Sequence, residues 1–151
     1  MLALLRTGDW EVPLFLHVLG AMLLVGGLFA VGTALVAAWR AEEGDAAALT
    51  RFAYRTLFIL VLPAFVAMRI GAQWVLEEAP FDEEDAWIGV GYLVSDFGGL
   101  LLVVSLILAG LGLRRAGDGR GRTAARVVTV VTLLLLAAYL VAIWAMTTKP
   151  T

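Results

Sequence analysis

The sequence predicts an all-α integral membrane protein, folded as an antiparallel four-helix bundle. Hydrophobic residues make up 62% of the 151 residues, and a mean hydropathy of +0.93 exceeds what a soluble domain could bury. Four stretches approach or exceed the roughly 20 apolar residues needed to cross a hydrocarbon core of about 30 Å. We place these spans at residues 13–38, 56–76, 86–113 and 126–146 of a single domain.

The first span is about twice as long as the apolar core of a secretory signal, so we expect it to be retained. Small residues recur every fourth position on the first and third spans. The two ridges are Gly26, Ala30 and Ala34, and Gly91, Ser95 and Gly99. Such ridges let membrane helices approach closely. We therefore predict that they contact another helix, within the chain or across a dimer.

The basic residues predict the orientation of the chain. The first and third connecting segments, together with Arg126 at the start of the fourth span, hold eight of the eleven lysines and arginines, whereas Glu77–Asp85 holds six acids and no base. Cytoplasmic loops carry an excess of Lys and Arg, so we expect both termini outside a bacterial cytoplasmic membrane. We also predict a loop at residues 40–55, and an N-terminal cap of the third helix by the last acids of Glu77–Asp85.

Four polar side chains, one in each span, fall at similar depths. Counted at about 1.5 Å per residue, they lie about 9, 12, 14 and 15 Å from the outer ends of their spans. In chain order they are His17, Arg69, Asp96 and Tyr139. The inner halves of the spans are almost wholly apolar. This asymmetry predicts a polar pocket that opens outward and is sealed inward.

Arg69 and Asp96 are predicted to form an intramembrane ion pair. A lone charge at this depth would cost roughly 3 kcal/mol or more, and such residues normally find a partner inside the bundle. Gln73 lies on the helix face of Arg69, and Tyr92 lies on the face of Asp96. The predicted pocket therefore consists of both charges, Gln73, Tyr92, His17 and Tyr139. The pair is either a structural clasp or a functional group.

Several segments resemble known bacterial membrane families. The first helix, with Phe15–Gly20 (FLHVLG) followed by Gly26-Gly27, resembles that of the copper-resistance D (CopD) type and of a related family of predicted bacterial integral membrane proteins of unknown function. Pro63 followed by Gly71, and the ending Trp144–Pro150 (WAMTTKP), are similar to the second family in particular. The resemblance implies a four-helix membrane bundle without an established activity.

The residue types exclude several classes of site. The chain has no cysteine and one histidine, so Cys-ligated metals, thiolate catalysis and a histidine-rich metal site are excluded. Copper-linked relatives would be expected to carry further His and Met ligands, but Met22, Met68 and Met146 do not cluster by spacing. We predict no metal site, no catalytic residues and no nucleic-acid binding, since the arginines lie in short loops beside spans.

Three functions fit this pattern. The first is a non-enzymatic binding or accessory subunit, as a homo-oligomer or with other membrane subunits. The second is a transporter or proton-relay component, in which His17 and Asp96 exchange protons and Arg69 keeps Asp96 ionised. The third is a haem protein with His17 as an axial ligand, which would need a second histidine from a homodimer, or Met68 or Met146. An absorption spectrum separates the third function from the other two.

Overall fold

The computed structural model describes residues 11–78, 86–114 and 119–148, and these residues form four long helices without any strand. We number them α1 (Glu11–Ala38), α2 (Glu43–Glu78), α3 (Ala86–Arg114) and α4 (Gly119–Thr148). α2 is one helix made of three consecutive segments, which are Glu43–Thr56, the π-helical turn Leu57–Val61 and Leu62–Glu78. The predicted cap before α3 lies outside the described residues.

Each of the four helices is long and apolar enough to cross a membrane. Their outward faces carry large apolar side chains, such as Ile59, Met22 and Phe58, which are 75%, 69% and 62% exposed. Soluble monomers rarely expose a contiguous apolar surface of this extent. The all-helical class and the four long apolar helices predicted from the sequence are thus confirmed for the described residues.

The predicted loop at residues 40–55 is wrong for most of its length, because residues 43–56 are helical and continue into α2. Glu43 and Asp45 stand in the first turn, where the helix dipole stabilises carboxylates. Farther along, Ala53 and Tyr54 are buried while Arg51 and Arg55 are exposed, so the segment is an amphipathic helix. Its charges face away from the bundle, and they do not end the helix.

Pro63 lies inside α2, two residues after the π-helical turn Leu57–Val61. A proline has no N–H to donate, and its ring clashes with the carbonyl four residues earlier, here that of Ile59. In the π turn the hydrogen bonds reach one residue farther, as from Leu62 N–H to the Leu57 carbonyl. This local widening lets α2 continue through the proline.

α1 and α2 approach each other closely at two glycines. A Cβ atom at Gly20 would overlap the backbone of Met68, and one at Gly71 would overlap the backbone of His17. Farther along the same interface, Gly27 faces the side chain of Val61. The two backbones therefore touch where both helices present a glycine, and larger side chains would force them apart.

The remaining helix pairs also meet at glycines, but against side chains. α3 packs on α4 where Gly91 faces Met146 and Gly112 faces Ala124. α1 packs on α4 where Gly32 faces Leu133. Between the helices lies an apolar core with side chains no more than 2% exposed, which includes Leu24, Leu28, Leu35, Leu57, Leu102, Val128 and Leu135.

The two predicted ridges differ in how far they contact other helices. On α1, Gly26 is exposed with no neighbour within 4 Å of a built Cβ, Ala30 is half-buried and Ala34 is buried. The adjacent stripe that contains Gly20 and Gly27 makes the close contacts of α1 instead. On α3 the ridge lies against other helices, because Gly91 faces Met146, Ser95 is buried and Gly99 faces Phe65. A contact of Gly26 across a dimer stays a prediction.

Candidate functional site

The structure brings Arg69 and Asp96 together at the seam between α2 and α3. Arg69 Nη2 donates a hydrogen bond of 2.9 Å to Asp96 Oδ1, which makes the contact a charge-assisted ion pair. Arg69 lies nine residues before the end of α2 and Asp96 ten residues after the start of α3, so the two residues are level, as the depth count predicted. The two charges on adjacent helices are therefore paired.

Two further predicted residues complete this arrangement. The guanidinium carbon of Arg69 lies 5.0 Å from the centre of the Tyr92 ring, within the range of a cation–π contact. The Tyr92 hydroxyl donates to Gln73 Oε1 at 3.3 Å. Gln73 and Tyr92 each stand one helical turn from a member of the ion pair. We call Arg69, Gln73, Tyr92 and Asp96 the seam cluster.

The seam cluster lies at the surface of the bundle and faces sideways, which differs from the predicted interior pocket. The side chain of Asp96 is 62% exposed and that of Arg69 is 33% exposed. Large apolar side chains surround the pair, with Ile70 at 54% and Leu93 at 61% exposure. Depth counting fixes the height of a residue along a helix but not its direction around the axis. The pair is therefore at the expected height but on an outer face.

His17 lies behind α2 and makes a separate contact. Its Nδ1 atom is 3.0 Å from the carbonyl oxygen of Met68, the residue next to Arg69. A carbonyl oxygen can only accept, so Nδ1 carries the hydrogen and donates it. In the neutral ring Nε2 is then the unprotonated nitrogen, which can accept a proton or bind a metal. The hydrogen bond is possible because Gly20 and Gly71 bring the two backbones together.

Tyr139 is buried in the core, where its hydroxyl lies against Gly98 of α3. Among the described residues this hydroxyl has no hydrogen-bond partner, and the same holds for Tyr54, Ser95, Ser105 and Thr132. The structure therefore divides the six predicted pocket residues into three groups. Four form the seam cluster, His17 lies at the α1–α2 interface, and Tyr139 of α4 lies in the core against α3.

Two residues of the seam, Tyr54 and Phe65, were not predicted from the sequence. The Tyr54 hydroxyl lies against Gly112, and the Phe65 ring lies against Gly99. Together with Arg69–Asp96 and Gln73–Tyr92, these contacts follow one another along the seam. The residue numbers on α2 rise as those on α3 fall, as expected for antiparallel helices. The sequence does carry a signal for these two contacts, namely the glycines Gly99 and Gly112. They lie where α3 must leave room for a long side chain from α2.

No group of three or more His, Asp or Glu side chains within the described residues could hold a metal ion. For haem, His17 could supply one axial ligand through Nε2, with Nδ1 already fixed by the Met68 carbonyl. As His17 is the single histidine of the chain, a second imidazole would have to come from another copy.

Neither a family model, nor a curated protein, nor a solved structure matches this chain. The resemblance to the CopD type and to the family of unknown function therefore stays a prediction. Any function must be inferred from the seam cluster, His17 and the apolar surface.

Proposed function

We propose that the chain is a non-enzymatic binding or accessory subunit of the bacterial cytoplasmic membrane, and that the seam cluster is its binding surface. The observation that carries the proposal is the exposed ion pair Arg69–Asp96, set in an apolar surface. A charged pair within a hydrocarbon layer is costly unless something polar covers it. A surface that keeps this pair exposed is suited to a partner that will cover it.

The contacts between helices support the membrane arrangement in this proposal. Residue numbers rise along one helix as they fall along the next. On α1 and α2, His17 meets Gly71 and Gly27 meets Val61; on α3 and α4, Gly91 meets Met146 and Gly112 meets Ala124. Consecutive helices of this kind run in opposite directions, and an even number of spans leaves both termini on one side. The arginine-rich connecting segments put the termini outside.

Site-specific photo-cross-linking tests the binding surface. A benzophenone amino acid is placed at Leu93, beside the ion pair, and in a matched variant at Met22 of α1. Both positions are well exposed and apolar. Met22 is a suitable control because it lies on α1, which packs on α2 and α4 and is not part of the α2–α3 seam. After illumination of intact membranes, we expect an adduct at Leu93 and much less at Met22.

The charge dependence of the adduct completes the test. Arg69→Met combined with Asp96→Leu removes both charges together and leaves neither unpaired. We expect this double variant to stay folded and to lose the adduct at Leu93. Equal adducts at Leu93 and Met22, or an adduct unaffected by the double variant, would contradict binding through the seam cluster.

His17 supports a second candidate, a proton-relay component. Its Nδ1–H donates to the carbonyl of Met68, the residue before Arg69 on α2, so Nε2 is left to take up a proton. This candidate predicts proton flux across proteoliposomes, measured with an entrapped pH-sensitive dye. The flux should be lost in His17→Gln and kept in Met22→Leu. Absence of flux in the unmodified protein would exclude the relay.

A further inference from the structure

The seam cluster has unused hydrogen-bonding capacity. Arg69 has five N–H groups, and it donates to Asp96 through Nη2. Asp96 accepts at Oδ1, and its carboxylate has a second oxygen. One nitrogen of Arg69 and one oxygen of Asp96 are therefore used in the pair, and further donors and acceptors remain for a covering group.

The surface around the pair is apolar on both helices. On α2 the rim consists of Val66 and Ile70, and on α3 it consists of Leu93 and Leu100; all four are 45–61% exposed. Each rim residue lies within one helical turn of Arg69 or Asp96. A charged centre inside an apolar rim excludes water once it is covered, which strengthens the contacts of the centre.

The charges of the pair restrict what can cover it. A ligand of one sign would have to compete with the existing partner, because the positive and negative groups already neutralise each other. A covering group that carries both signs at the same spacing can contact both without separating them. A second copy of this surface has that property.

Two-fold symmetry makes this surface complementary to itself. In a two-fold interface, a residue that contacts another across the axis receives the same contact in return. With the axis beside the seam, Arg69 of each copy would face Asp96 of the other. The four groups would then form a ring of alternating charge, enclosed by the rims of both copies.

We infer that the partner at the seam cluster is a second copy of this chain, which forms a two-fold dimer through α2 and α3 with Arg69 and Asp96 of the two copies interleaved. This inference rests on the proposed function, since it names the partner for the same surface. The partner is thus neither an anionic lipid headgroup nor a different subunit.

Chemical cross-linking tests the dimer in intact membranes. The chain has no cysteine, so a single cysteine reports one position. Leu93→Cys and Leu100→Cys flank the ion pair, and Met22→Cys on α1 is the matched control. With a flexible bifunctional maleimide, we expect covalent dimers at Leu93 and Leu100 and little at Met22. Absence of dimers at both seam positions, or equal amounts at Met22, would overturn the inference.

Charge reversal shows whether the dimer depends on the interleaved pair. Arg69→Asp gives a copy with two acids at the seam, and Asp96→Arg gives a copy with two bases. Each reversal is expressed alone in the Leu93→Cys background. Its yield of cross-linked dimer should be about tenfold lower than that of Leu93→Cys with Arg69 and Asp96 intact, because like charges then face each other. Co-expressed with different tags, the two should form a mixed dimer at near the original yield.

A swapped variant guards against misfolding of the single reversals. Arg69→Asp combined with Asp96→Arg keeps one charge of each sign in every copy, so it should fold and cross-link with itself. If the swapped variant is folded but does not cross-link with itself, the interleaved arrangement is overturned.

The photo-adducts at Leu93 separate failure of the dimer from failure of the proposed function. An adduct of twice the chain mass supports the dimer. An adduct with a lipid or another polypeptide keeps the binding surface but overturns the second copy as its partner. Absence of any charge-dependent adduct overturns both.

Discussion

A methyl group at Gly20 should push α1 and α2 apart, because its position is already occupied by the backbone of α2. A Cβ at Gly20 would overlap the Met68 backbone N and Cα and crowd the Ala64 carbonyl. None of these atoms can rotate away as a side chain could, so the helices themselves must move. The same holds in reverse at Gly71, where a Cβ would overlap backbone atoms of His17.

The expected change in the free energy of unfolding is the sum of two losses and one gain. Overpacking of a close contact costs about 1–3 kcal/mol. Separation of the helices also lengthens the hydrogen bond from His17 to the Met68 carbonyl, a loss of about 1 kcal/mol. Alanine is the better helix former and returns about 1 kcal/mol. We therefore expect Gly20→Ala to lower the free energy of unfolding by about 1–3 kcal/mol.

Gly26→Ala is the matched control on the same helix. A Cβ there meets nothing within 4 Å, so the helix-propensity gain is unopposed and the variant should be stabilised by up to about 1 kcal/mol. The assay is reversible denaturant unfolding in detergent, followed by circular dichroism. The combination Gly20→Ala/Gly71→Ala should cost less than the sum of its parts, since one substitution already separates the helices. Equal effects at Gly20 and Gly26 would refute the close crossing.

Three further outcomes are expected. Arg69→Met and Asp96→Leu should each cost about 1 kcal/mol in detergent unfolding, less than the roughly 3–5 kcal/mol of a buried pair, because both side chains are partly exposed; the double variant should regain most of that loss, and additive losses would contradict the pair. His17→Leu should cost about 1 kcal/mol in the same assay, since it removes the hydrogen bond to α2; an unchanged stability would contradict that bond. A cysteine at Glu83, outside the described residues, should react with an impermeant maleimide in intact cells while one at Gly119 should not, and the reverse pattern would overturn the orientation.

The sequence was sufficient to predict the helices and the height of the ion pair. Apolar length alone locates the four helices, and a rise of about 1.5 Å per residue brings Arg69 and Asp96 level on neighbouring helices. Both quantities depend on distance along the chain, which a sequence records directly. The helical residues 43–56 were missed because their charges suggest a loop, although charge on one face is equally compatible with a helix.

The direction of each side chain around its helix could not be predicted in the same way. A position shifts by about 100° per residue, so a small error in phase moves a residue from the interior to the surface. The π turn Leu57–Val61 changes the phase of α2 just before the segment that holds Arg69. Similarly, every-fourth spacing marked Gly26 as a contact on α1, while the close crossing uses Gly20, which lies on the adjacent stripe.

The two interfaces of α2 differ in a way that bears on its proposed role. Toward α1 the backbones touch at Gly20 and Gly71, so any separation loses packing along the whole crossing. Toward α3, the contacts around the ion pair are made by the long side chains of Phe65, Arg69 and Gln73, which can change rotamer while both helices stay in place. α1 and α2 are therefore held together by backbone contact, and the α2–α3 seam is the interface that can adjust its charged groups to a partner. An exposed ion pair is best placed at such an interface, because Arg69 can turn toward an incoming carboxylate without disturbing the core.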